Sequence, residues 1–123
     1  MPKILIIEDD VDLATVLQMN LEVKGYDIVL AHDALQGTSS VHNEKPDLII
    51  LDINLPAGGG LSVLKNIKIS VKTKTIPIVV LSGTEDEELK HKVLHAGITD
   101  FIKKPYDLED LCRRIKSALR IKE

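Results

Sequence analysis

Five short aliphatic runs recur along the chain: Lys3–Ile7, Asp27–Ala31, Asp47–Leu51, Ile76–Leu81 and Asp100–Lys103. The central runs are apolar without alternation, as strands covered on both faces are. Amphipathic stretches separate them. Leu13, Leu17 and Leu21 form a stripe in the first, with Gly25 placed to end it. Asp33 can cap a second, weakly patterned helix, and Leu61, Leu64 and Ile67 mark a third. A fourth spans about 85 to 96, with acids first, bases later and Gly97 as its stop. The fifth carries Leu108, Leu111, Ile115 and Leu119 at helical spacing behind Asp107. The pattern is (βα)5, and right-handed crossovers make it an α/β doubly wound, five-stranded parallel sheet. Sites in such sheets form in the loops beyond the carboxyl ends of the strands.

Composition narrows the field. The 123 residues suit one domain, 1–123, and 44% hydrophobic content excludes disorder. No apolar run is long enough to span a bilayer, so no membrane partner is expected. Cys112 is the only cysteine and three acids fall in the first ten residues, which together suit a reducing, cytoplasmic setting. With three aromatic residues and a net charge of −3, direct nucleic-acid binding by this segment is not expected. The charge is also polarised. Residues 1–62 hold ten acids against three bases, and residues 63–123 hold thirteen bases against nine acids.

The strand ends carry the candidate chemistry. Strand one runs into Glu8-Asp9-Asp10, strand three into Asp52, strand four into Ser82-Gly83-Thr84 and strand five into Lys104-Pro105. Taken singly, Asp9 or Asp10 could cap the first helix, Thr84 the fourth, and Lys104 could be an ordinary surface lysine. Asp52 is harder to dismiss. A carboxylate directly behind Leu48-Ile49-Ile50-Leu51 bears a desolvation cost that something must offset. Crowded carboxylates call for a cation, and oxygen-only ligation with room for water suits Mg²⁺. A lysine and a hydroxyl beside it are suitable donors to a tetrahedral oxyanion.

At these residues the sequence resembles the receiver domain of bacterial response regulators, the CheY-like superfamily of two-component and phosphorelay signalling. The resemblance rests on Ile4-Leu5-Ile6-Ile7-Glu8-Asp9-Asp10, Leu51-Asp52-Ile53-Asn54-Leu55-Pro56 with Gly60-Leu61, Leu81-Ser82-Gly83, and Gly97 to Pro105, in order. It covers essentially the whole chain. It implies a flavodoxin-like sheet ordered 2-1-3-4-5, with Asp52 as phosphoacceptor. Asp9 would hold Mg²⁺ directly, Glu8 mainly through water, and the Asn54 backbone carbonyl would be a further ligand; Mn²⁺ is a possible substitute. Lys104 would pair with phosphoryl oxygens, Ser82 would donate to one, Phe101 would be the switch aromatic, and Pro105 would follow a cis peptide.

The function so implied is that of a phosphorylatable switch and not a turnover enzyme. Asp52 would take a phosphoryl group from a phosphohistidine on a sensor histidine kinase or histidine phosphotransfer protein, and water would later remove it. The added charge would reshape the face made by the fourth helix, fifth strand and fifth helix, which would meet a downstream protein or a second receiver. Glu8 stands where aspartate is more frequent, and Gly83 where alanine is common. An open position at Gly83 is expected to admit small donors and water; Asn54 and Thr84 flank the same mouth as further candidates for setting phosphate lifetime.

Three other readings compete. Asp10-Val11-Asp12 mimics the Asp-x-Asp of haloacid-dehalogenase-type Mg²⁺-dependent phosphohydrolases, but Glu8 and Asp9 intervene after the strand and Asp52 is left unexplained. Ala57-Gly58-Gly59-Gly60 could cradle a nucleotide phosphate, yet no Lys-Ser/Thr follows, and a mobile loop is expected there. A degenerate receiver is disfavoured because every chemical position is filled. His91 and His95, four apart, are read as surface histidines, and Arg113 and Arg114 as a solvated face or a dock for an acidic partner. The end at Glu123 coincides with the end of the fifth helix, which suits a stand-alone regulator or a cut before an output domain; because no linker composition begins there, the expectation leans slightly to stand-alone.

Overall fold

The computed structural model describes residues 1–122; Glu123 and the side chains of Ile121 and Lys122 lie outside the described residues. Strand β1 (Lys3–Ile7) leads to helix α1 (Val11–Val23), β2 (Asp27–Ala31), α2 (Ala34–Glu44) and β3 (Leu48–Asp52). A 3-10 turn (Pro56–Gly58) opens α3 (Gly59–Ile69), followed by β4 (Ile78–Ser82), α4 (Glu87–Leu94), β5 (Asp100–Lys103) and α5 (Leu108–Lys122). All four pairings are parallel and the order is β2-β1-β3-β4-β5, as expected.

The period of two in each strand divides the interior into two cores. Leu5, Ile7, Ile49, Leu51, Ile78 and Val80 point to one side, where Val41, Val63, Leu64, Ile67 and Val93 of α2, α3 and α4 cover them. Ile4, Ile6, Leu48, Ile50, Val79 and Leu81 point to the other, under Leu17 and Leu21 of α1 and Leu111 and Ile115 of α5. Every residue of β3 and β4 is buried, which explains the absence of alternation in their sequences.

Helix boundaries follow their caps. The Asp10 carboxylate accepts from the Leu13 amide at 3.1 Å and starts α1, and Asp33 accepts from the Gln36 amide at 2.7 Å and starts α2. Gly25, at φ 99, closes the α1 end in a conformation a side chain would resist.

Three expectations change. Leu13 is 54% exposed, and Ala14 takes the inward place in its stripe. Helix α4 starts later than expected, because the Asp86 carboxylate accepts from Glu88 and Leu89 while Thr84 instead accepts from the Asp86 amide at 3.0 Å. Half of the glycine run belongs to α3, and only Ala57 and Gly58 form an exposed turn before it. Gly59 and Gly60 are buried in the first turn of α3, and a Cβ on Gly60 would sit 2.1 Å from the Ile53 carbonyl oxygen. Only hydrogen fits there, so α3 can press against the residue that follows Asp52.

Candidate functional site: a carboxylate pocket at the strand ends

The sheet order places the ends of β1, β3, β4 and β5 side by side, and with them the predicted chemistry. Asp52 closes β3 as its last paired residue, opposite Leu81. Glu8 directly follows β1, held by its amide to the Ala31 carbonyl at 3.0 Å. Lys104 directly follows β5, its amide donating to the Ser82 carbonyl at 2.7 Å, and the Lys104–Pro105 peptide is cis. Because these groups extend a rigid ladder, their positions are fixed by backbone hydrogen bonds and not by loop conformation.

Glu8 and Asp52 are buried, and Asp9 is exposed beside them. One carboxylate oxygen from each of the three lies within 4.8 Å of the others. The Lys104 ammonium sits between two of them, at 3.0 Å from Glu8 Oε1 and 3.0 Å from Asp52 Oδ2. Burial first, and then the Asp52 carboxylate, push the Glu8 carboxyl from 4.5 to about 7, against the pull of Lys104. For Lys104, burial acts to lower the pKa, but the Asp52 and Glu8 carboxylates outweigh it and hold the ammonium above 10.5. A single lysine therefore does not satisfy this cluster of acids. A pocket of carboxylate oxygens that retains a costly negative charge beside its one cation fits a small hard cation such as Mg²⁺.

The other side of the mouth is a hydrogen-bonded latch. The Asn54 amide N–H donates to Asp52 Oδ1 at 2.9 Å. Its side-chain Oδ1 accepts twice, from the Ser82 hydroxyl at 3.1 Å and from the Gly83 amide at 3.2 Å. Ser82 Oγ in turn accepts from the Thr84 amide at 3.0 Å. Two donors aimed at one oxygen form a ready oxyanion site, filled here by a carboxamide. A Cβ added at Gly83 would meet only Lys104 Cβ, at 3.9 Å, so this part of the rim is open.

The profile of the response regulator receiver domain matches residues 4–116. This chain belongs to that family. It is a receiver domain of two-component signalling, a class of switches not generally counted as enzymes. It is 34% identical over 120 residues to the DNA-binding dual master transcriptional regulator RpaA of Synechocystis sp.. It is 36% identical over 121 residues to the alkaline phosphatase synthesis transcriptional regulatory protein PhoP of Bacillus subtilis. Those alignments take in 98% of this chain and 50% of each relative, so the chain spans about half the length of the curated relatives it matches. Among solved structures, a two-component response regulator from Clostridium difficile superposes with a TM-score of 0.88 at 34% identity, covering 98% of this chain and 97% of that one. The receiver domain of the Francisella response regulator 1452 gives a TM-score of 0.89 at 25% identity, with both chains fully covered.

The other residues singled out in the sequence lie outside this carboxylate cluster. Phe101 is half-buried on β5, packed against the α3–α4 side of the core, with the Lys90 ammonium 5.7 Å from its ring centre. Asp10 is the α1 cap, which accounts for it without catalysis, and Asp12 is exposed in the first turn of that helix. Arg114, partly buried, is held by Asp100 at 2.8 Å and Asp110 at 3.1 Å, while Arg113 pairs with Asp110 and stays exposed, as on a solvated face. His91 and His95 stack at 4.2 Å between ring centres, and among the described residues no carboxylate completes a metal set with them.

Two features escaped the sequence reading. His32 Nδ1 lies 3.1 Å from the Glu8 carbonyl oxygen, bracing the acidic turn from the end of β2; the strand-end rule, applied to β2 as well, would have found it. A cavity of about 430 Å³ runs from Glu8, Asp52 and Lys104 past Tyr106 to Leu13 and Val16 of α1. Its apolar flank includes side chains that a solvent-exposed helix face would not normally carry, and only the structure shows where they lie.

Proposed function

We propose that the chain is a phosphoacceptor domain, 1–123, in which Asp52 receives a phosphoryl group from a phosphohistidine of a sensor histidine kinase or histidine phosphotransfer protein. The observation that carries this reading is the convergence of Glu8, Asp9, Asp52 and Lys104 at one mouth, beside two donors already aimed at a single oxygen. Glu8, Asp9, Asp52 and the Asn54 carbonyl would hold Mg²⁺, or Mn²⁺ in its place, which when bound supplies neutralisation of the crowded oxygens. An Asp52 carboxylate oxygen attacks phosphorus in line, forming the O–P bond as the P–N bond to imidazole breaks. The imidazole leaves with the electron pair and takes a proton.

Lys104 then turns from carboxylate to phosphoryl oxygen, keeping its charge, because its raised pKa leaves it protonated throughout. The Ser82 hydroxyl and Gly83 amide leave Asn54 for the phosphoryl group. Ser82 shifts toward the mouth, and Phe101 follows into the space released, altering the α4–β5–α5 surface offered to a downstream protein or a second receiver. Water entering past Gly83, with Asn54 and Thr84 lining its path, hydrolyses the acyl phosphate and resets the switch. The exposed apolar residues Leu13 and Val16 beside the cavity favour a protein donor, which would cover them, over a small substrate held in a closed site. Among the described residues no helix is long and apolar enough to cross a membrane.

Intact-mass analysis after incubation with acetyl phosphate, or with a phosphorylated kinase, tests the proposal. One phosphoryl group is expected on the wild type with Mg²⁺ and none in EDTA or on Asp52→Asn. An equal gain on both proteins would refute the role of Asp52. Phosphorylation that survives Asp52→Asn but fails in Asp10→Asn would favour the phosphohydrolase reading instead.

A further inference from the structure

A second cavity, of about 520 Å³, lies at the opposite end of the sheet from Asp52, between the loop that precedes β3 and the loop that precedes β4. Its floor is apolar, formed by Val41, Pro46 and Ile76, all buried. Its rim carries Lys45, Lys72, His42 and Thr75, and no acidic residue lines it. On the side that leads to β4 the chain is equally one-sided, residues 53–84 containing four lysines and no aspartate or glutamate, whereas on the side that leads to β3 Glu44 and Asp47 flank Lys45 and Pro46.

Helix ends offer a plain explanation for cations here, since both α2 and α3 finish at this end and exposed carbonyls attract positive charge. Several of the carbonyls there already have partners, however. Ile67 O accepts from the Thr73 hydroxyl at 2.7 Å, and Ser70 O from the amides of Thr73 and Lys74 at 3.1 and 2.8 Å. Glu44 O accepts from the Lys3 ammonium at 3.2 Å, and Lys3 also pairs with the Glu44 carboxylate. Among the described residues the ammonium groups of Lys45 and Lys72 have neither a carboxylate nor a hydrogen-bond partner.

We infer that this cavity binds a small organophosphate with a compact apolar body, of the nucleoside monophosphate class. Its size is that of a small-molecule site, and apolar walls with a few convergent polar groups are the usual construction of one. Two ammonium groups, an imidazole and a hydroxyl around one opening match the three terminal oxygens of a phosphate better than the two of a carboxylate. The Asp52 pocket, ringed by carboxylates, repels the same ligand when no divalent cation is present, so the two sites are separable.

Amide NMR titration of the full chain in EDTA with adenosine 5′-monophosphate tests the inference. Saturable shifts confined to residues 41–46 and 72–76 are expected. Lys45 and Lys72 are exposed, so the double variant Lys45→Gln/Lys72→Gln should fold normally and bind at least about tenfold more weakly, the loss of one charge-assisted contact or more. Adenosine and inorganic phosphate, each lacking half of the recognition, should also bind about tenfold more weakly. Absence of saturable shifts, shifts centred on Asp52, affinity unchanged in the double variant, or inorganic phosphate binding as tightly as the nucleotide would each overturn it.

Discussion

Glu8 gives the metal-free pocket a measurable pH dependence. Its carboxyl titrates near 7 in the folded chain against 4.5 when unperturbed, because burial and the Asp52 charge disfavour ionisation. A folded-state pKa above the unfolded one means stability that is complete below pH 4.5 and is lost as pH rises through 7. At about 1.4 kcal/mol per unit, the loss attributable to Glu8 is roughly 3 kcal/mol. Lys104, held above 10.5, stays charged across this window and contributes no slope of its own. For a chain of 123 residues, that energy corresponds to a fall in Tm of about 12 °C. Thermal unfolding followed by circular dichroism in EDTA, from pH 5 to 8, reads the effect as wild type minus Glu8→Gln, which removes the slopes the two proteins share. The wild type should lose stability relative to the variant as pH rises. Mg²⁺ at about a hundredfold over its Kd should return roughly 2.7 kcal/mol to the wild type at pH 8, and less to the variant. Parallel curves for the two proteins in EDTA would refute the assignment of the strain to Glu8.

Further substitutions probe the parts around that pocket. Gly60→Ala places a Cβ against the Ile53 carbonyl and should cost about 3 kcal/mol or more, read as a lower denaturant midpoint with unchanged m-value. Asn54→Ala removes the acceptor shared by Ser82 and Gly83, freeing both donors for phosphate. With about 1 kcal/mol per hydrogen bond no longer to be broken, acetyl phosphate labelling should quicken about fivefold or more. Gly83→Thr fits without backbone strain, so its Tm should change little, while small-donor phosphorylation and hydrolysis both slow; unchanged rates in a time course of phosphoprotein would count against an open rim.

Much of this was legible because strands covered on both faces leave uninterrupted apolar runs, and each run here is followed at once by a polar residue. Asp52 after Leu48–Leu51 announced both a buried strand and a charge at its mouth. What stayed hidden depended on contacts between distant segments. Leu13 and Ala14 are neighbours, and which of them faces inward is decided by the sheet beneath α1, so a leucine stripe pointed to the wrong one. Four small residues from Ala57 read as a loop by composition. The close approach of Ile53 to Gly60 that makes glycine obligatory there is visible only once α3 is packed. Thr84 and Asp86 are both acceptable caps by residue type, and the Asp86 carboxylate, bonded to both Glu88 and Leu89, prevails. The Asn54 latch requires side-chain direction across two strands, which no spacing rule supplies.

The central claim is that Asp52, and no other acid at the mouth, becomes the acyl phosphate. Borohydride reduces an aspartyl phosphate to homoserine and so marks the residue chemically. After phosphorylation with Mg²⁺, reduction and tandem mass spectrometry of the peptides should find homoserine at position 52, with Glu8, Asp9, Asp10 and Asp12 unmodified and no conversion in EDTA. Homoserine at position 10 or 12, or an unmodified Asp52 in a protein that has gained a phosphoryl group, would contradict it.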